Sequence, residues 1–117
     1  MPTSVLIVDD HPSFRATARL LLEVEGYDVV GEAEDGRAAI AAARDLHPDL
    51  VLLDVNLPDI DGFDVAARIT TESGAPAVVL TSSRDSSDYG SLVSRSGARG
   101  FIAKADLSGA ALAALLT

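Results

Sequence analysis

Apolar positions fall into four short continuous runs: Val5-Leu6-Ile7-Val8, Leu50-Val51-Leu52-Leu53, Ala77-Val78-Val79-Leu80 and Gly100-Phe101-Ile102-Ala103. A fifth, Val-rich stretch from Asp28 to Ala33 alternates less clearly. Runs this short with no polar face predict strands buried on both sides, as in a parallel sheet covered by helices. Between them apolar residues recur every three or four positions. This spacing predicts helices from His11-Pro12-Ser13 to Gly26, from about Arg37 to Leu46, from about Phe63 to Glu72, from Asp85 to Ser96 and from Leu107 to Leu116. Pro12 suits a first helical turn, Gly26 and Ser73-Gly74 suit helix ends, and Pro48 turns the chain toward the third strand. The Asp85 to Ser96 pattern is the weakest, because its serines and Gly90 compete with helical backbone bonds.

Five strands alternating with five helices predict right-handed crossovers and an α/β fold. The expectation is a single doubly wound (βα)5 domain over residues 1–117, with a parallel five-stranded sheet of order 2-1-3-4-5. That order has its switch point between strands 1 and 3, where open α/β sheets bind their ligands at the carboxyl ends of the strands.

The strand ends carry unusual chemistry. The first run ends in Asp9-Asp10, the third in Asp54, the fourth in Thr81-Ser82-Ser83, and the fifth in Lys104. Singly, each has an ordinary explanation: a helix cap, a turn, a hydroxyl bonded to backbone, a solvated lysine. Jointly they do not. Carboxylates ~4 Å apart at an effective dielectric of about 20 repel by about 4 kcal/mol, some three pKa units, so an idle cluster is disfavoured. Magnesium, or manganese, relieves that repulsion with oxygen ligands and keeps positions for phosphate oxygens. Lys104 offers a fixed positive charge, Thr81 a hydroxyl donor, and Asp54 a nucleophile able to form an aspartyl phosphate.

Composition narrows the classes further. The chain has 117 residues, a formal net charge of -9 and no Cys. The charge argues against direct nucleic-acid binding by this domain, which needs a clustered basic surface. The lack of Cys excludes disulfides and thiolate sites and fits a reducing, cytoplasmic compartment. No run approaches the ~20 apolar residues of a membrane span, and Met1 to Ser4 has no basic side chain of the kind that opens a signal peptide. His11 and His47 stand apart from one another and from any ligand spacing, and read as surface residues.

Asp9-Asp10, Asp54 followed by Leu57-Pro58 and Asp61-Gly62, Thr81-Ser82 and Lys104 together resemble the receiver domain of two-component response regulators, the CheY-like domains of flavodoxin-like fold. The resemblance covers essentially the whole chain. It implies a phosphorylation-activated switch in which Asp54 accepts a phosphoryl group from a sensor histidine kinase. Its only catalysis would be self-phosphorylation and slow autodephosphorylation. It implies that Asp10 ligates the metal directly, Asp9 partly through water, and Asn56 through its backbone carbonyl. It also implies that Thr81 and Phe101 form the switch pair that carries the signal to the face of helix 4, strand 5 and helix 5. The opening Asp9-Asp10-His11-Pro12-Ser13-Phe14-Arg15 is similar to receivers that precede a LuxR-type helix-turn-helix output domain, which implies a role in transcription regulation. These 117 residues contain no such domain, so the chain is either a fragment of a longer regulator or a single-domain one.

Two departures stand out. Ala105 follows the site lysine where most receivers have Pro, so the Lys104-Ala105 bond is expected to be trans, or cis only at a cost of about 3–4 kcal/mol. Phe101 stands where Tyr is frequent and can form no outward hydroxyl contact. Competing classes fit less well. A haloacid-dehalogenase-type phosphatase usually has a second Asp two residues after the nucleophile, and Asn56 stands there; a flavin protein of the same sheet order would not place Asp9-Asp10 against a phosphate. Finally, the last helix is apolar on nearly every face, from Leu107 to Leu116, which predicts contact with a partner: a second copy, forming a homodimer, or an output domain.

Overall fold

The computed structural model describes residues 2–84 and 89–116. Its elements run β1 Ser4–Val8, α1 Pro12–Val24, β2 Asp28–Ala33, α2 Gly36–Leu46, β3 Leu50–Asp54, α3 Gly62–Thr70, β4 Ala77–Ser82, α4 Leu92–Arg95, β5 Gly100–Ala103 and α5 Gly109–Leu116. All neighbouring strands are parallel and the order is β2-β1-β3-β4-β5, as expected.

The period of two along each strand explains why the central runs lack a polar face. Val5, Ile7, Leu50, Leu52, Val79 and Ile102 pack with Ala18 and Leu22 of α1 and Leu112 of α5. The intervening Leu6, Val8, Val51, Leu53, Val78 and Leu80 pack with Ala39 and Ala43 of α2 and Val65, Ala66 and Ile69 of α3. Both faces of β3 are therefore inside, and all five of its residues are buried. β2 reads less clearly because its pairing with β1 shifts register between Val5 and Leu6, where Val5 pairs with Val29 and Leu6 with Gly31. The extra residue, Val30, interrupts the alternation.

Helix boundaries follow capping chemistry. Asp35 accepts from the Ala38 N–H at the start of α2, and Asp61 from the Phe63 N–H at the start of α3. The last helix begins at Gly109 rather than Leu107, because Ser108 accepts from the Ala111 N–H and a 3-10 turn, Lys104–Asp106, precedes it. α3 stops at Thr70, short of Glu72; the Thr70 hydroxyl bonds back to the Ala66 carbonyl and Thr71 to that of Arg68. Of the expected Asp85 to Ser96 helix, residues 85–88 lie outside the described residues, and the remainder is helical only over Leu92–Arg95. No peptide bond among the described residues is cis, so Lys104-Ala105 is trans.

α5 is apolar all round by sequence, but its large side chains turn inward. Leu112 is fully buried, Leu115 and Leu116 are half-buried against the sheet, and the exposed positions are Ala110, Ala113 and Ala114. The exposed positions of this helix are therefore alanines alone. Among the described residues the most exposed large apolar side chains are Leu20 (67%) and Val24 (81%) of α1, ahead of Leu46 and Leu92. Among the described residues, no helix is long and apolar enough to cross a membrane.

Candidate phosphoryl site

The carboxyl ends of β1, β3, β4 and β5 meet at one end of the sheet, and the site is built from the residues that leave them. β1 hands the chain to Asp9, whose N–H donates to the Ala33 carbonyl at 3.0 Å, so Asp9 is fixed by the neighbouring strand end. The Arg15 guanidinium, reaching back from α1, donates to the Asp9 carbonyl at 2.6 Å. The Asp9 side chain is fully buried; its Oδ1 accepts from the His11 N–H at 2.8 Å, and its Oδ2 lies 2.6 Å from Lys104 Nζ. Asp10 is exposed beside it.

Asp54 ends β3 in register with Thr81 of β4. It is 1% exposed. Its Oδ1 accepts from the Asn56 N–H at 3.2 Å, and its Oδ2 lies 3.5 Å from Lys104 Nζ. Lys104 therefore bridges two buried carboxylates from the end of β5. Its ammonium also sits 4.5 Å from the centre of the Phe14 ring of α1, a cation-π contact.

Burial raises the Asp54 carboxyl above its ordinary value; the Asn56 N–H pulls it back, the Asp9 charge raises it again, and Lys104 lowers it. Three carboxylates and one ammonium leave the cluster short of positive charge. Ligand atoms of Asp9, Asp10, His11 and Asp54 all lie within 4.8 Å of one another. The three carboxylates among them offer hard oxygen donors with a net negative charge, which fit magnesium or manganese. Thr81 bears on a phosphoryl oxygen rather than on the cation. It is fully buried, yet its Oγ1 has no hydrogen-bond partner, an unfavourable state for a buried hydroxyl unless the site receives an acceptor.

The loop after Asp54 is pinned at both ends. The Val55 N–H donates to the Thr81 carbonyl, and the Gly62 N–H to that of Val55, both at 3.0 Å. Between them the Asp59 carboxylate accepts from the N–H groups of Gly36 and Arg37 at 2.7 and 3.1 Å, capping α2 from outside. These bonds, led by that from Gly36, hold the Asp59 carboxyl below its usual range.

Residues 5–115 match the model of the family described as the response regulator receiver domain. The chain belongs to that family. The receiver is 40% identical over 102 residues to a "Putative transcriptional regulator" of Pseudomonas aeruginosa, an alignment covering 87% of this chain and 49% of that protein. Its fold superimposes on the receiver domain of the putative response regulator NarL from Mycobacterium tuberculosis with a TM-score of 0.87 at 32% identity, covering 98% of this chain and 97% of that one. It also superimposes, with a TM-score of 0.86 at 25% identity, on a chain of the CheX-CheY-BeF3-Mg2+ complex of Borrelia burgdorferi, covering 99% of this chain and 87% of that one. The chain spans about half the length of the first curated relatives it matches.

The receiver brings Asp9, Asp10, Asp54 and Lys104 together, with Thr81 in register beside Asp54. Asn56 is exposed and contacts Asp54 through its N–H. Phe101 is half-buried on β5, opposite Leu80. His11 corrects the sequence reading: its ring is 64% exposed but its Nδ1 lies 3.0 Å from both Asp9 Oδ1 and Asp10 Oδ1, so it is not isolated from the carboxylates. The pattern also passed over Phe14, Arg15 and Tyr89. Phe14 and Arg15 enter the sequence only through helical spacing and the opening motif, which give them no part in the site, and Tyr89 is a lone aromatic in a serine-rich stretch.

Proposed function

We propose that this receiver takes a phosphoryl group onto Asp54 from the phosphohistidine of a sensor histidine kinase and passes the resulting change to an output domain or partner that regulates transcription. The observation that carries this reading is the pairing of a buried Asp54 carboxylate with Lys104 Nζ at 3.5 Å beside a buried Thr81 hydroxyl that has no partner of its own. An Asp54 carboxylate oxygen attacks phosphorus, the O–P bond forms, the donor N–P bond breaks, and its electron pair returns to the imidazole nitrogen. Asp9, Asp10, Asp54 and the Asn56 carbonyl would hold magnesium, which when bound neutralises the carboxylates and the incoming phosphoryl oxygens. Lys104 keeps a positive charge beside Asp54, and the Thr81 hydroxyl donates to a phosphoryl oxygen. Thr81 and Phe101 lie on β4 and β5, which lead toward α4 and α5, the side from which a neighbouring domain or a second copy would sense the change.

Incubation with magnesium and phosphoramidate, read by intact mass, should add one phosphoryl group, and omission of magnesium or Asp54→Asn should abolish it. Asp10→Ala should lose magnesium binding while keeping its fold, since it removes one of several repelling charges. An unchanged mass for the wild type, or normal labelling of Asp54→Asn, contradicts the proposal. Light scattering across a concentration series, before and after phosphorylation, reports whether a second copy is the partner.

A further inference from the structure

Phe63 of α3, Tyr89 just ahead of α4 and Phe101 of β5 form a row of rings. Tyr89 is the middle member, 5.3 Å from Phe63 at an interplanar angle of 61° and 5.6 Å from Phe101 at 50°. Its hydroxyl reaches the other way, 2.7 Å from Ser82 Oγ at the end of β4. Ser82 is fully buried. Its Oγ also accepts from the Arg84 N–H at 3.1 Å and from Asn56 Nδ2 at 3.4 Å, and the Asn56 N–H holds Asp54 Oδ1. A continuous path of hydrogen bonds thus joins Asp54 to Tyr89 through Asn56 and Ser82.

A serine hydroxyl has one hydrogen and two lone pairs. With Arg84 and Asn56 donating to Ser82, both lone pairs are engaged, and its single hydrogen goes to the Tyr89 oxygen. Phe101 has no hydroxyl and meets the row only through its ring. Tyr89 alone combines a ring in the row with a polar atom on the path to Asp54.

We propose that Tyr89 is the positioning residue through which the state of Asp54 is read on the side of α4 and β5, its hydroxyl latching that side to Ser82 in the unphosphorylated form. This inference rests on Asp54 being the phosphoacceptor. Phosphoryl oxygens at Asp54 are charged acceptors, stronger than a phenol, and compete for the one Ser82 hydrogen directly and through the Asn56 amide. The Ser82–Tyr89 bond opens, and the middle ring of the row is freed from β4.

The chain has two tyrosines and no Trp, which makes the test clean. In Tyr27→Phe grown with 3-fluorotyrosine, Tyr89 gives the one fluorine resonance. With magnesium and phosphoramidate that resonance should move in step with the phosphorylated fraction measured by intact mass, and should stay put in Asp54→Asn. A full phosphoryl adduct with an unmoved resonance overturns the Tyr89 inference and leaves Asp54 as phosphoacceptor; no adduct at all overturns both. Tyr89→Phe keeps the ring and removes only the latch. It should be phosphorylated faster than the wild type by up to about fivefold, the worth of one hydrogen bond holding the unphosphorylated form. A rate equal to or below that of the wild type overturns the inference.

Discussion

Replacing Gly62 by Ala tests how tightly the phosphoryl site is bound to the backbone beneath it. Gly62 opens α3, is buried, and donates its N–H to the Val55 carbonyl. A Cβ built there would press on the Asp54 carbonyl oxygen and stand 2.5 Å from Val55 Cα, with the Asp54 carbonyl carbon at 3.1 Å. All three obstacles are main-chain atoms, so no rotamer change relieves them; either α3 backs away or the end of β3 moves. Overpacking at about 1–3 kcal/mol, plus about 1 kcal/mol for the Gly62–Val55 bond, gives a loss of about 2–4 kcal/mol. At ~2.1 cal/mol/K per residue for a chain this long, the melting temperature should fall by about 8–16 °C. Gly31→Ala is the matched control. There the nearest atom, at 2.8 Å, is Leu46 Cδ1, the far end of a half-exposed side chain that can swing aside, so the cost should stay under about 1 kcal/mol. Thermal unfolding followed by circular dichroism distinguishes them, and phosphorylation of Gly62→Ala should slow by about tenfold or more as Asp54 is displaced. Equal melting temperatures for the two variants would refute the reasoning.

Two pH predictions follow from the carboxylates. Because burial raises the Asp54 carboxyl, the folded protein binds a proton there more readily than the unfolded chain, so stability declines as pH rises through the ordinary aspartate value of ~3.9 toward the folded one. Without metal, Asp54→Asn should therefore melt above the wild type at neutral pH, with the gap closing in acid; a gap independent of pH would contradict the assignment. Glu32 shows the opposite sign: the Arg19 hydrogen bond, aided by Arg15, lowers its carboxyl. Glu32→Gln should cost about 0.5–1 kcal/mol at neutral pH, and the difference in melting temperature should vanish as pH falls from ~4.3 through the lowered folded value.

How much of this was legible in the sequence depended on whether a residue's role is local. The runs of β1, β3 and β4 could be read because helices cover both faces, which makes every position apolar, and the carboxylates stand where those runs stop. The cap at Ser108 was equally local but lost to the apolar run around it, so the last helix was expected two residues early. The direction in which the α5 leucines point is set by its docking on the sheet, and an all-apolar helix carries no stripe from which to read it. The roles of Phe14 and Tyr89 depend on residues 90 positions away or on hydroxyls of another strand, so no spacing announces them. The scarcity of aromatics, 4% of the chain, was the one available hint that those present are placed for a purpose.

The register shift between β1 and β2 has a consequence for solution behaviour. β2 is an outer strand, and an outer strand offers unpaired N–H and C=O groups as a template on which another chain can add. The extra residue at Val30 breaks the regular ladder that an added strand would need, and Asp28 and Glu32 put negative charge on either side of it. The opposite outer strand, β5, is only four residues long. Both borders of the sheet are thereby poor templates, and the net charge of -9 repels one copy from the next, so a core this rich in Val, Leu and Ile meets its neighbours without an open strand edge to extend.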